Sequence, residues 1–377
     1  MSFLQEYMDK PPEFYQNELK KLISEYNKER DTYLFLYNVA TDKSNLGIQL
    51  DQQDYYVIHD MLVDKKIQKL DFYIETLGGS PETVEDIVKF LRSHFEEIYF
   101  VIAGEAKSAG TMLVLSGDDI FMTETGSLGP IDIQMQIGRS WVSVYSYREW
   151  IKQKRKEARN GKLNQFDAYM IAQISPGEIR KVNDWLNLTG VLVGDWLPKY
   201  KFKDWKTPKD RKDAADKIVK LMVKHSKWKT HGRSLKIQDL ENIGLHIKNL
   251  DADFPTLAEI VHRIHTACML YFSNTNRYKI YATADQIIYK QDVTALQPTQ
   301  PTEDFAQLQV PCEKCNTVHN MYARLNLSPT IEADLKSKGF VSLNTTDETL
   351  KCSCGGQLDL QKIRNQIKQQ TNRGICR

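Results

Sequence analysis

Apolar residues in the first 135 positions of the chain occur in short runs separated by one clear helical pattern. The runs predict β-strands at residues 33–38, 70–76, 98–103 and 119–124. Between the second and third runs, Ser80 and Pro81 suit the start of a helix. The apolar residues that follow recur at helical spacing, namely Val84, Ile87, Val88, Leu91 and Phe95. Strand, helix and strand in this order indicate a right-handed parallel crossover, and therefore an α/β fold.

The rest of the chain predicts a mainly helical stretch from about 140 to 275, followed by a β-hairpin at 278–283 and 286–289. A segment rich in Pro, Thr and Gln then has the composition of a linker. We therefore predict a helical lead-in (1–30), an α/β domain (31–296), a linker (297–308), a cysteine-containing module (309–360) and a polar tail (361–377).

Two glycine-containing breaks follow neighbouring predicted strands, at the sheet edge where open α/β folds bind ligands. Gly78 and Gly79 follow the strand at 70–76, and Ser108 lies between small residues after the strand at 98–103. Paired glycines expose backbone N–H groups which, with that of Ala109, could hold a developing oxyanion. A tight turn closed by a capping serine would explain the same residues.

The order of these segments resembles the serine-peptidase branch of the Clp/crotonase superfold. The motifs Thr76-Leu-Gly-Gly79, Ala106-Lys-Ser-Ala-Gly-Thr111 and Gly126-Ser-Leu-Gly-Pro-Ile-Asp132 are most similar to the serine dehydrogenase proteinase family. Signal peptide peptidase A and the Clp proteolytic subunit are more distant relatives. The likeness extends over roughly residues 30–250. It implies repeated β-β-α crossovers, a protein or peptide substrate and a homo-oligomer.

The same resemblance assigns roles to four residues. Ser108 would be the nucleophile, Gly79 and Ala109 would supply the oxyanion N–H groups, and Gly78 would shape the turn. For the general base, residues 128–134 contain Asp132 but no histidine, which disfavours a Ser-His-Asp triad.

A lysine base is the alternative, as in signal peptide peptidases, and it must be desolvated for its pKa to fall. On a helix through 143–158, Lys154 shares the face of Tyr147 and Ile151, so we prefer it. The other candidates are Lys152, Lys156, Lys162 and His231. A solvated basic face is the competing interpretation of these lysines.

Four of the six cysteines form two close pairs, Cys312 with Cys315 and Cys352 with Cys354. Paired cysteines followed by glycines have the ligand spacing of a zinc ribbon. Because four thiolates fill a tetrahedral site, the predicted zinc ion is structural. Such an ion would stabilise a module too small for a large hydrophobic core.

Composition narrows the functional class further. The 377 residues are 41% hydrophobic and 27% charged, which is typical of a soluble globular protein. A net charge of +2 disfavours nucleic acid as the main partner, although the basic runs at 152–162 and 199–212 leave it possible. No apolar run approaches about 18 residues, and the N-terminus lacks the order of a secretory signal. We therefore expect a cytoplasmic protein with no integral membrane segment.

The preferred hypothesis is a serine peptidase with a Ser108 nucleophile, a lysine base and a backbone oxyanion hole. The alternative is a catalytically weak or inactive scaffold of the same fold, which binds nucleic acid or a protein partner through the zinc ribbon. Acyl-CoA chemistry of the crotonase type ranks last, because it does not need the serine.

Overall fold

The computed structural model of the protein describes residues 2–43, 47–137, 140–205, 207–228, 230, 232–292, 305–325, 329–371 and 375. The chain divides into two compact units, Met1–Asp292 and Val293–Arg377. His231 and residues 297–304 of the predicted linker lie outside the described residues.

A seven-stranded sheet organises the first unit. The strands of this unit are β1 (Tyr33–Val39), β2 (Lys69–Glu75), β3 (Glu97–Ile102), β4 (Glu105–Ala106), β5 (Asp119–Met122), β6 (Ser127–Leu128), β7 (Gln134–Ile137), β8 (Ser140–Ser143), β9 (Lys248–Asn249), β10 (Arg277–Ala282) and β11 (Ile287–Gln291). The order in the large sheet is β11-β10-β1-β2-β3-β5-β9. Strands β1, β2, β3, β5 and β9 are parallel, whereas β10 and β11 are antiparallel to their neighbours. The predicted α/β class is confirmed.

The helices of this unit are α1 (Phe3–Tyr7), α2 (Pro12–Arg30), α3 (Gln52–Leu62), α4 (Pro81–His94), α5 (Ala109–Val114), α6 (Val144–Arg159), α7 (Gln165–Ala172), α8 (Pro176–Lys199), α9 (Pro208–Met222), α10 (His225–Trp228), α11 (Ile237–Ile243), α12 (Leu250–Asp253) and α13 (Pro255–Ser273). Helix α8 continues nine residues beyond Gly190, to Lys199. Val193 and Leu197 of this extension are fully buried in the core, so packing keeps the chain helical.

Hydrophobic clusters cover both faces of the sheet. Successive side chains of a strand point to opposite faces. Phe35 and Tyr37 accordingly belong to one cluster, which also holds apolar residues of α3, α4 and α5. Leu34 and Leu36 belong to a second cluster with residues of α2 and α13. Burial on both faces explains why β1 and β2 are mostly apolar in the sequence, with few polar residues such as Asn38 and Asp71.

The second unit contains β12 (Phe305–Pro311), β13 (Val318–Arg324), α14 (Pro329–Ser337), β14 (Val341–Ser342), β15 (Thr349–Lys351), β16 (Gln357–Asp359) and α15 (Leu360–Thr371). In this unit the structure differs from two of the segment boundaries that we predicted. Strand β12 begins at Phe305, inside the predicted linker. The predicted polar tail forms helix α15, because Ile363 and Ile367 pack four residues apart into the core of this unit.

Among the described residues, no helix is both long enough and apolar enough to cross a membrane.

Candidate active site

The two glycine-containing segments lie side by side at the carboxyl edge of the parallel strands. The N–H of Thr76 donates to the carbonyl of Glu105 at 2.7 Å, and the N–H of Lys107 donates to the carbonyl of Thr76 at 2.9 Å. The segments that follow β2 and β3 therefore stay paired beyond the ends of these two neighbouring strands. This pairing places Gly78 and Gly79 next to the turn that carries Ser108.

Ser108 has an unusual backbone conformation, with φ 50° and ψ −117° immediately before α5. Positive φ is uncommon for residues other than glycine, and such strain concentrates at functional sites. Gly78 also has positive φ, at 108°. A Cβ atom on Gly78 would lie 2.8 Å from the Cβ of Ser108 and 3.1 Å from the amide nitrogen of Ala109. Only glycine fits at position 78 without a shift of this turn.

Two N–H groups beside Ser108 are unpaired. Neither the N–H of Gly79 nor that of Ala109 donates a hydrogen bond to any part of the chain that the structure describes. The adjacent amides are satisfied, since Gly78 donates to Oγ1 of Thr76 at 3.1 Å and Gly110 to the carbonyl of Lys107 at 2.8 Å. Because backbone N–H groups are rarely left unpaired, these two are available for an external acceptor.

The Ser108 side chain is half-buried, and its hydroxyl forms no hydrogen bond with the described residues. Ser108 therefore does not cap α5 through its side chain, which argues against the alternative of a simple capped turn. The structure brings together Ser108, Gly78, Gly79 and Ala109, as the sequence predicted. Their catalytic roles stay a prediction.

Thr111 ties this turn to the third motif of the sequence. Its Oγ1 lies 2.7 Å from the carbonyl of Ala106 and 3.0 Å from that of Gly129, and it accepts the N–H of Gly129 at 3.1 Å. Gly110 allows this turn to pack closely against Thr76, because a Cβ atom at position 110 would lie 2.4 Å from Cγ2 of Thr76. All three motif segments are thus in direct contact.

Lys154 lies in an ion-pair cluster on the α6 and α7 helices. Its Nζ is 2.8 Å from Oδ2 of Asp167 and 2.9 Å from Oε2 of Glu157. Hydrogen bonds to Asp167 and then Glu157 raise the pKa of Lys154 above its ordinary value. A lysine base needs the opposite change, and the described contacts do not bring Lys154 to Ser108.

The described contacts bring none of the other candidate bases to Ser108. Lys152, Lys156 and Lys162 are exposed, and His231 lies outside the described residues. Asp132 is buried, with hydrogen bonds from Oγ of Ser143 and from Nε2 of Gln134.

A cavity of about 490 Å³ with a mixed polar and apolar wall opens at the same sheet edge, and sequence reasoning did not find it. Its wall includes Glu75, Ser127, Ser234, Lys236 and His265, but not Ser108. Nδ1 of His265 lies 3.1 Å from Oε2 of Glu75. Burial alone would lower the pKa of His265, but the hydrogen bond and charge of Glu75 outweigh burial and raise it.

The four cysteines of the second unit form one cluster. Sγ of Cys312 lies 3.6 Å from Sγ of Cys354, and Sγ of Cys315 lies 3.7 Å from Sγ of Cys352. All four sulfur atoms lie within 4.8 Å of one another. Gly356 permits this approach, since a Cβ there would lie 2.8 Å from Sγ of Cys312. The four thiols can bind a metal ion.

Comparisons with known proteins define a distant relationship. No known protein-family model matches the chain. A stretch of 197 residues, 52% of the chain, is 24% identical to an uncharacterized protein of Methanocaldococcus jannaschii. The chain spans 59% of the length of that protein.

Similar solved structures are known at low TM-scores. A mutant of a membrane-bound stomatin-specific protease has a TM-score of 0.33 and 12% identity, over 56% of this chain and 79% of its own. A protein described as an enoyl-CoA hydratase from Streptomyces coelicolor has a TM-score of 0.30 and 14% identity, over 64% and 76% of the two chains. ThnE from S. clavuligerus has a TM-score of 0.28 and 11% identity, over 64% and 88%. Similarities of this size assign no function.

Proposed function

We propose that the protein is a serine hydrolase that cleaves peptide bonds with Ser108 as its nucleophile. One observation carries the proposal: a serine in a positive-φ turn lies beside the unpaired N–H groups of Gly79 and Ala109. The peptide substrate is inferred from the family resemblance of the three motifs. A homo-oligomeric state has the same basis.

The reaction begins when the Ser108 hydroxyl attacks the carbonyl carbon of the scissile bond. The carbonyl oxygen then carries negative charge, and the N–H groups of Gly79 and Ala109 donate hydrogen bonds to it. Removal of one such donor costs about 100- to 1,000-fold in kcat in other serine hydrolases. Collapse of the intermediate expels the amine, which takes up the proton that the Ser108 hydroxyl lost, and leaves an acyl group on Ser108. Water then hydrolyses this ester.

The sequence assigns the general base to Lys154, and this role stays a hypothesis. Lys154 would have to leave both Asp167 and Glu157 before it could accept a proton from Ser108.

We further propose that the cysteine cluster binds structural zinc. A Zn–S distance of about 2.3 Å in a tetrahedral site implies sulfur separations of about 3.8 Å. The separations of 3.6 and 3.7 Å fit that geometry. Four thiolates leave no open coordination position, so the ion would hold β12, β13, β15 and β16 together without taking part in catalysis.

Hydrolysis of a mixture of fluorogenic peptides tests the proposed function. We expect the full-length protein to cleave at least one peptide, and Ser108→Ala to lose this cleavage at least 100-fold. Ser93→Ala is a matched control, because its hydroxyl bonds only the carbonyl of Phe90 and the adjacent His94 ring. Cleavage by Ser108→Ala at the rate of the unmodified protein would overturn the proposal. Absence of cleavage by the folded protein would favour the scaffold alternative.

A further inference from the structure

Lys107, the residue before Ser108, is a buried lysine without a carboxylate partner. Its exposure is 3%, and it forms no ion pair within the described part of the chain. Its Nζ instead lies 2.8 Å from Oγ of Ser234 and 3.1 Å from Oγ of Ser127. The carbonyls of Leu128 and Arg233 lie farther away, at 3.4 and 3.5 Å.

This environment makes the Lys107 ammonium group easier to deprotonate than that of an exposed lysine. Burial is the largest influence and lowers the pKa of Lys107, the charge of Glu105 opposes that change, and the charge of Lys236 adds to it. A buried lysine whose nearest partners are hydroxyl groups can accept a proton from one of them, as an amine base does for a nucleophile. Lys279, which is also fully buried, differs from Lys107 because it pairs with Asp54 at 2.8 Å.

Of the two hydroxyls, that of Ser234 is the accessible one. Both serines line the cavity at the carboxyl edge, but Ser127 is only 2% exposed, whereas Ser234 is half-buried. The base therefore lies behind the serine, and the serine faces the cavity. A cavity of about 490 Å³ is of the size that proteins use for small molecules.

We propose that Ser234 and Lys107 form a serine–lysine dyad separate from the Ser108 site, which takes an acyl group from a small polar ester bound in this cavity. The proton of the Ser234 hydroxyl passes to Nζ of Lys107 while Oγ bonds to the carbonyl carbon. The bond from that carbon to the alcohol oxygen then breaks, and the alcohol leaves with the proton from Nζ. Water, deprotonated by the same amine, hydrolyses the acyl-serine and restores both residues.

Polar groups on the cavity wall favour a polar ester. Hydroxyls of Thr125 and Ser127 and the charged groups of Glu75, Lys236 and His265 line the space, together with apolar residues such as Met269 and Phe272. This site uses none of the atoms assigned to the Ser108 oxyanion hole. The inference therefore does not rest on the proposed function.

Adduct mapping in a Ser108→Ala background tests the dyad. The full-length Ser108→Ala protein is treated with a fluorophosphonate, and the modified residue is identified by mass spectrometry of its peptides. We expect an adduct on Ser234, which is lost in Ser108→Ala/Ser234→Ala. Ser108→Ala/Ser273→Ala should keep the adduct, because Ser273 lines the same cavity but its hydroxyl bonds the carbonyl of Met269.

The lysine is tested by Lys107→Arg in the same background. A guanidinium keeps the positive charge but does not accept a proton, so labelling of Ser234 should slow about 100-fold. If Lys107→Arg does not fold, the comparison of Ser234→Ala with Ser273→Ala still decides the outcome. A folded Ser108→Ala protein with no adduct on Ser234 would overturn the proposal, and so would labelling of a folded Lys107→Arg variant at an unchanged rate. The Ser108 proposal is tested separately, by looking for an adduct on the Ser108 peptide of the unmodified protein.

Discussion

A Cβ atom on Gly78 would lie 2.8 Å from the Cβ of Ser108, so the paired glycines and the serine turn are in direct backbone contact. We expect Gly78→Ala to slow fluorophosphonate labelling of Ser108 at least 100-fold, because the turn must shift to admit the methyl group. Because Gly78 has positive φ, an alanine there should also lower the free energy of unfolding by about 1–2 kcal/mol.

Gly244→Ala separates these two effects. Gly244 also has positive φ, at 101°, but nothing lies within 4 Å of a Cβ atom there. This variant should lose stability in denaturant titration yet keep the labelling rate of Ser108. If Gly78→Ala labels as fast as Gly244→Ala, contact between Gly78 and Ser108 has no role in the site.

Lys154→Met is expected to change labelling of Ser108 by less than threefold. The ion pairs with Asp167 and Glu157 keep Lys154 protonated, so its removal should not remove a base. Lys152→Met is the matched control, because Lys152 is exposed and pairs with Glu149 on the same helix. A loss near 100-fold that is confined to Lys154→Met would instead identify Lys154 as the base, in agreement with the sequence.

Asp71 gives the fold a defined pH dependence. Burial raises the pKa of Asp71 from its ordinary value of 3.8 to about 6, although the hydrogen bond from Tyr26 and the charge of Arg30 oppose this. The folded protein then holds this proton to higher pH than the unfolded chain does. The contribution of Asp71 to stability is therefore largest below pH 4 and falls as pH rises from about 4 to about 6, by about 2–3 kcal/mol.

Asp71→Asn should remove this component of the pH dependence. The free energy of unfolding of Asp71→Asn minus that of the unmodified protein should rise over the same pH range. Denaturant titration at each pH measures both values. Asp64→Asn, at an exposed position, controls for the loss of one charge. A difference that stays constant from pH 4 to pH 6 would show that Asp71 is not the source.

Metal analysis tests the cysteine cluster. We expect about one zinc ion per chain in the unmodified protein and almost none in Cys352→Ser. The Cys352→Ser variant should also lose the thermal transition of the second unit. Cys268→Ala should retain the zinc, because Cys268 is buried in the first unit. Labelling of Ser108, which belongs to that first unit, should persist in Cys352→Ser. A full complement of zinc in Cys352→Ser would contradict the assignment of ligands.

Local sequence patterns predicted most of the first unit. The apolar runs 33–38 and 70–76 became β1 and β2 because both strands are buried on two faces, and short continuous apolar runs are typical of such strands. Helix α13 (Pro255–Ser273) lies within the stretch predicted to be mainly helical, with a proline at its start and apolar residues that continue to its end. Helix α15 could also have been predicted, from Ile363 and Ile367 at helical spacing, but the polar composition concealed this pattern.

The features of the site that the sequence could not predict depend on contacts between segments far apart in the chain. Helical periodicity placed Lys154 on the face of Tyr147 and Ile151, but its partner Asp167 comes from the next helix, which periodicity in α6 cannot reveal. The partners of Lys107 are 20 and 127 residues away in the chain. The backbone conformation of Ser108 and its unpaired neighbouring amides likewise depend on the pairing of two strand ends.

Site-resolved labelling of the unmodified protein tests the central claim most directly. The folded protein is treated with a fluorophosphonate, and the peptide that contains Ser108 is examined for the adduct. The account predicts near-complete modification of Ser108, and at least 100-fold slower modification in Gly78→Ala. A folded protein whose Ser108 remains unmodified would contradict it.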